Sequence, residues 1–148
     1  MRRAMALLVG VLGLAGCATQ GPNLSYVGSP LAASSTAPIA HEIAAYAAGQ
    51  LPAAQSTILL EPPPPSQAAN DLTPAVTAAL RAKGFGVAQP GTSATGAHPL
   101  RYLVTPVGQD VLLRIIVDNR IAAARLYRPD GKGSLAAASP LTAMENGS

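Results

Sequence analysis

The chain's only cysteine, Cys17, stands where a charge-free apolar run ends, and that position constrains everything after it. Met1-Arg2-Arg3 supplies a positive start. Ala4 to Gly16 then carries no charge, with Met5, Leu7, Leu8, Val9, Val11, Leu12 and Leu14 as its bulky members. Such a run has the length of a signal-peptide core, about 7–15 residues. It falls short of the roughly 20 apolar residues that a membrane span requires. The next residues, Ala18-Thr19-Gln20-Gly21-Pro22-Asn23, are small and polar and continue no membrane helix. Leu14-Ala15-Gly16-Cys17 fits the box cut by signal peptidase II. Small residues at Ala15 and Gly16 let the backbone enter the protease, and the Cys17 thiolate is nucleophilic enough to accept a diacylglyceryl group. The expectation is that residues 1–16 are a lipoprotein signal peptide, cleaved to leave a lipidated Cys17.

Cysteine use agrees. Exported proteins usually carry cysteines in pairs for disulfides, and a single one needs another role. Each buried lipid methylene contributes roughly 0.8 kcal/mol, and stable anchoring takes two chains. A diacylglyceryl group with an added palmitate-type chain on the new N-terminus exceeds that. Ala18 follows the cysteine where an Asp would favour inner-membrane retention. The expected location is therefore the outer membrane, lipid-anchored and facing the periplasm.

Charge then narrows the function classes. Ten Lys and Arg face seven Asp and Glu, but two of the ten, Arg2 and Arg3, leave with the signal peptide. The remainder is nearly neutral, so no long-range field attracts nucleic acid. Aromatics are limited to Tyr26, Tyr46, Tyr102, Tyr127 and Phe85, too few for a base-stacking platform. Much of the apolar content is alanine, which buries little surface.

Residues 17–36 are rich in Gly, Ser, Thr, Asn and Pro and read as a lipidated, flexible tether. A helix is expected over 37–51, capped by Ser35 or Thr36 with Pro38 in its first turn. Ile39, Ile43, Tyr46 or Ala47, and Leu51 form its stripe, and Pro52 ends it. Ser56 to Leu60 is a short strand. Pro62 to Pro65 reads as a stiff polyproline spacer. Asp71 is expected to cap a second helix, about 72–83, striped by Leu72, Val76, Ala79 and Leu80. Arg81 and Lys83 suit its C-terminal dipole, and Gly84 stops it. Phe85 to Ala88 is a strand, and 89–99 a loop. Leu100 to Pro106, Val111 to Val117 and Ile121 to Arg128 form a meander with turns near Gly108-Gln109 and Asp118-Asn119. Pro129-Asp130-Gly131-Lys132 is a strong turn. The expected fold is α+β, a small antiparallel sheet packed by two helices over 37–132, with 133–148 as a flexible tail.

The search for reactive chemistry comes up empty. His41 and His98 lack further ligands at metal spacing. Gly91-Thr92-Ser93-Ala94-Thr95-Gly96 misses the nucleophile-elbow spacing by one residue. Gly84-Phe85-Gly86 lacks the third glycine of a dinucleotide loop, and Gly131-Lys132-Gly133-Ser134 resembles a phosphate loop only superficially. No catalytic residue, cofactor, metal or small-molecule substrate is expected. Arg101, Arg114, Arg125 and Arg128 decorate the meander. They either line one sheet face that meets an acidic partner or form a solvated outer surface.

The order of features resembles the TrbH family of conjugal-transfer lipoproteins. The resemblance rests on the box at Cys17, the helix leading into Leu51-Pro52, and Asp71 with Leu80-Arg81-Ala82-Lys83-Gly84-Phe85-Gly86-Val87. It continues in Leu100-Arg101-Tyr102-Leu103-Val104 and in Leu113-Arg114-Ile115 through Ala124-Arg125-Leu126-Tyr127, covering about residues 39–128. No single motif is highly specific; their order carries the likeness. It implies a structural, non-enzymatic component of the mating-pair-formation (type IV secretion) apparatus, seated with other channel subunits at the outer membrane. One departure is the tail: the family tends to end in a tryptophan-bearing stretch, whereas Gly133 to Ser148 contains none. The alternative is a periplasmic ligand- or peptidoglycan-binding lipoprotein unrelated to conjugation, which would need a pocket with convergent polar groups.

Overall fold

A computed structural model describes residues 24–28, 30–67 and 71–145. Cys17 and the signal peptide lie outside the described residues. The elements run β1 (Tyr26–Val27), α1 (Ala33–Gln50), β2 (Thr57–Leu60), α2 (Leu72–Ala82), β3 (Gly86–Ala88), β4 (His98–Val107), β5 (Asp110–Val117), β6 (Ile121–Pro129), β7 (Leu135–Ala137) and β8 (Thr142–Glu145). The α+β class holds. The sheet, however, is mixed rather than antiparallel, with the order β3-β2-β4-β5-β6-β7. β2 lies parallel to both β3 and β4, because α2 carries the chain back over the sheet between β2 and β3.

Local chemistry explains the helices. α2 ends in a Schellman motif: Phe85 N–H donates to Leu80 O at 3.1 Å and Gly84 N–H to Arg81 O at 2.9 Å. Gly84 adopts φ +96, which a side chain resists. At the other end Asp71 holds the cap position, but its side chain makes no capping hydrogen bond, contrary to expectation. α1 starts earlier than expected. Ser35 and Thr36 lie inside it, buried, and Ala32 is the cap. The Ser35 hydroxyl instead accepts a bond from Leu135 N–H at 3.0 Å, tying the start of α1 to β7.

Two segments read as unstructured are built into the sheet. β1 and the first turn of α1 belong to the expected tether, and β7 and β8 to the expected tail. Each borrows a free edge. β1 pairs with Leu103 and Val104 of β4, beyond the place where β2 stops. β8 and β7 pair with the first and second halves of β6. An unpaired row of backbone donors and acceptors is reason enough for a weak strand former to extend there.

The core lies between the helices and one sheet face. β5 alternates: Val111, Leu113, Ile115 and Val117 are buried, while Leu112 and Ile116 are half-buried and Arg114 is exposed. Ile39, Ile43 and Ala47 of α1 and Val76 and Leu80 of α2 meet Leu100, Tyr102 and Val104 of β4 in that core. The Tyr102 hydroxyl shares a 2.5 Å hydrogen bond with Thr73 of α2. Burial pushes the Tyr102 phenol up to about 12, against the pull of the Thr73 bond.

Candidate partner-binding face

Among the described residues no helix covers the second face of the sheet. Cross-strand register assigns its residues, because opposed residues share a face. One row is Arg101, Ile116, Ala122 and Met144; the next is Leu103, Arg114, Ala124 and Thr142; a third is Thr105, Leu112 and Leu126. Tyr26 joins the middle row opposite Leu103. Most of the exposed large hydrophobics fall here, with Val107 50 % exposed, Met144 53 % and Tyr26 37 %. The surface is therefore apolar with cations set into it, the composition of a binding patch rather than of a solvated sheet.

Three of the four expected arginines stand on this face, and each is held differently. Arg101 is buried and donates from Nη2 to Asn119 Oδ1 at 2.9 Å. Asn119 and Asp118 both take left-handed φ, 57 and 54, in the turn between β5 and β6, a hairpin geometry that suits Asn and Asp. Arg128 makes a forked pair with Asp110 across the strands, at 3.0 and 2.8 Å. That pair holds the Asp110 carboxyl below its ordinary range, chiefly through the hydrogen bond from Arg128. Arg114 is exposed at the centre of β5, between Leu103 and Ala124 on its flanking strands.

Arg125 is elsewhere. It projects to the helix side and pairs with Glu42 of α1, Nη1 to Oε1 at 2.6 Å. The sequence contained this outcome: residues three apart on a strand occupy opposite faces, so Arg125 and Arg128 never share one. Glu42 was missed because its role depends on a contact between α1 and β6 that no local pattern encodes. Asp110 was legible only as a turn residue. The apolar members of the face, Leu112 and Ile116, were visible as the off-beat of the β5 alternation.

His98 Nδ1 lies 2.9 Å from Asp118 Oδ2, which places it in β4 as part of a structural pair rather than in the preceding loop. His41 lies apart on α1. Among the described residues no group of three His, Cys, Asp or Glu is placed to hold a metal, and no helix is long and apolar enough to cross a membrane.

Residues 19–147 match the family described as conjugal transfer protein TrbH. The match runs through β7 and β8, well past residue 128 where the motif resemblance stops. No curated protein and no solved structure matches the chain.

Proposed function

The chain belongs to the TrbH family of conjugal transfer proteins, and from that membership we propose that it is a lipid-anchored structural component of a conjugative type IV secretion apparatus. It has a role in conjugation; the finer reading concerns place and manner. The anchor is Cys17, the location is the periplasmic side of the outer membrane, and the chain works by holding other channel subunits rather than by turnover.

The observation that carries the binding part is the open sheet face. A dry helix-covered core on one side and an apolar, arginine-set surface on the other is the division expected of a scaffold that docks a neighbour. Its cations exceed its anions: the Arg128–Asp110 pair cancels, and Arg101 and Arg114 remain. An acidic, partly apolar neighbour suits that surface, and Arg114 is the exposed charge it would meet first.

Pull-down from detergent-solubilised envelopes tests the reading. Wild type should bring down conjugation subunits and float with outer membranes. Cys17→Ser should remain an unprocessed precursor. Arg114→Glu should fold normally yet lose about tenfold or more in subunit recovery, because it sets a like charge against an acidic neighbour. If Cys17 is lipidated and no conjugation subunit co-purifies, the scaffold reading fails while the anchor stands.

A further inference from the structure

The covered side of the sheet shows how this chain seats a helix. There α1 follows β6: the Ser35 hydroxyl bonds Leu135, the residue opposite Pro129, and Glu42 pairs with Arg125. Seven helix residues rise about 10.5 Å and the four strand residues beside them span about 13 Å, so helix and strand run alongside each other in opposite senses. Ala123, on the same side of β6 as Arg125, is fully buried. A small residue in the strand and a carboxylate held by an arginine are the parts of that seat.

The open face repeats those parts. Ala122 and Ala124 of β6 make a low floor between Arg114 and Ile116 of β5 and Thr142 and Met144 of β8. The two walls stand two strand spacings apart, about 9.6 Å, close to the diameter of a helix, about 10 Å. Arg114 is exposed and lies opposite Ala124.

Backbone chemistry selects the kind of occupant. β6 already pairs with β5 on one side and with β8 and β7 on the other, so a strand laid over it finds no ladder. A segment docking here must satisfy its own N–H and C=O groups, which a helix does. Charge selects the source. Arg114 favours a carboxylate. Residues 1–23, 29, 68–70 and 146–148 contain no Asp or Glu, so those parts of the chain do not supply it. α1 and α2 contain one acidic residue between them, Glu42, and Arg125 holds it. A helix from a second copy therefore brings no free carboxylate either.

We propose that an amphipathic helix of a different, acidic partner protein lies along β6 on the open face, with small apolar residues over Ala122 and Ala124 and an Asp or Glu against Arg114. This rests on the reading of the open face as a docking surface and specifies what docks there.

The test is photo-crosslinking of the full chain in conjugating cells, with p-benzoylphenylalanine in place of Leu112 or Ile116. Both lie on the open face of β5 with Arg114 midway between them. Their four-residue separation is about 13 Å, which corresponds to about nine residues of a helix but only about four of an extended segment. Mass spectrometry of the adducts should therefore place the two attachments about nine residues apart in one protein, with an Asp or Glu near the middle. Arg114→Glu should lower the yield of both adducts about tenfold, and changing the mapped acid to Arg in the same cells should restore it. Attachments about four residues apart, a stretch without an acid, no rescue, or no adduct from either position overturns the helix. The scaffold reading is judged separately, by the identity of the captured protein: helical spacing in a protein outside the conjugation machinery keeps the seat and removes the scaffold, whereas extended spacing in a conjugation subunit does the reverse.

Discussion

On one side of β4 the chain lays β2 and β1 end to end, and on the far side of β6 it lays β8 and β7 in the same manner. Each arrangement leaves a joint where an N–H of the long strand faces the gap between two short ones. A serine fills both. Ser25 Oγ accepts from Tyr102 N–H at 3.0 Å, and Ser139 Oγ accepts from Leu126 N–H at 2.9 Å. The surroundings differ. Ser25 is 2 % exposed and sits at the rim of the core, whereas Ser139 is partly open to water. The same hydrogen-bonding solution thus has two energetic values. Where water can replace the hydroxyl, the joint is a convenience; where it cannot, the joint is a requirement.

Substitutions can break or sharpen that contrast. Ser25→Ala strands the Tyr102 N–H in a dry place and should cost about 1–3 kcal/mol by urea denaturation, the penalty of an unsatisfied buried donor. On the β6 side, Arg125→Met leaves Glu42 without its partner. The two side chains are 27 % and 12 % exposed, so the loss should be about 1–2 kcal/mol, below that of a fully buried pair. Ser139→Ala should cost under about 1 kcal/mol in the same assay, because water reaches the joint. A cost equal to that of Ser25→Ala would erase the distinction between the edges.

The smallest effect is one of slope. Burial holds the Glu42 carboxyl above its ordinary value of 4.5, with Arg125 drawing it back down. The folded chain therefore takes up this proton at a higher pH than the unfolded chain does. Stability should rise as pH falls through the raised folded value and level off below 4.5; above the raised value the cost of the buried charge is fully present. Glu42→Gln should remove that component from a plot of stability against pH, and an unchanged slope would place the titration in another group.

What could be read from residues alone was local. α2 with its Gly84 stop, and the β4–β5–β6 meander with its Gly108 and Asp118-Asn119 turns, are encoded by short-range patterns and appear where expected. The Ala-rich β7 has little strand propensity, and β1, although Tyr26 and Val27 favour strands, is too short at two residues to announce itself. They become strands because β6 and β4 offer unpaired edges, and those edges exist only after folding. The same reason separates the arginines. Arg114 could be assigned to the open side from the β5 alternation, whereas the engagement of Arg125 required knowing that α1 passes over β6.

The early placement of β1 also has a mechanical meaning. Eight peptide steps separate Cys17 from Ser25, about 28 Å at full stretch, so a lipid at Cys17 would hold the domain close to the bilayer rather than on a long leash. Tension through that stretch would arrive first at β1, along the strand axis and across its hydrogen bonds to β4. Ser25 N–H to Glu61 O, Tyr102 N–H to Ser25 Oγ and Gly28 N–H to Val104 O lie together in its path. Bonds loaded in this direction must yield as a group instead of opening one after another. A domain pulled through an anchored Cys17 would thus meet its firmest resistance at the first strand of the fold.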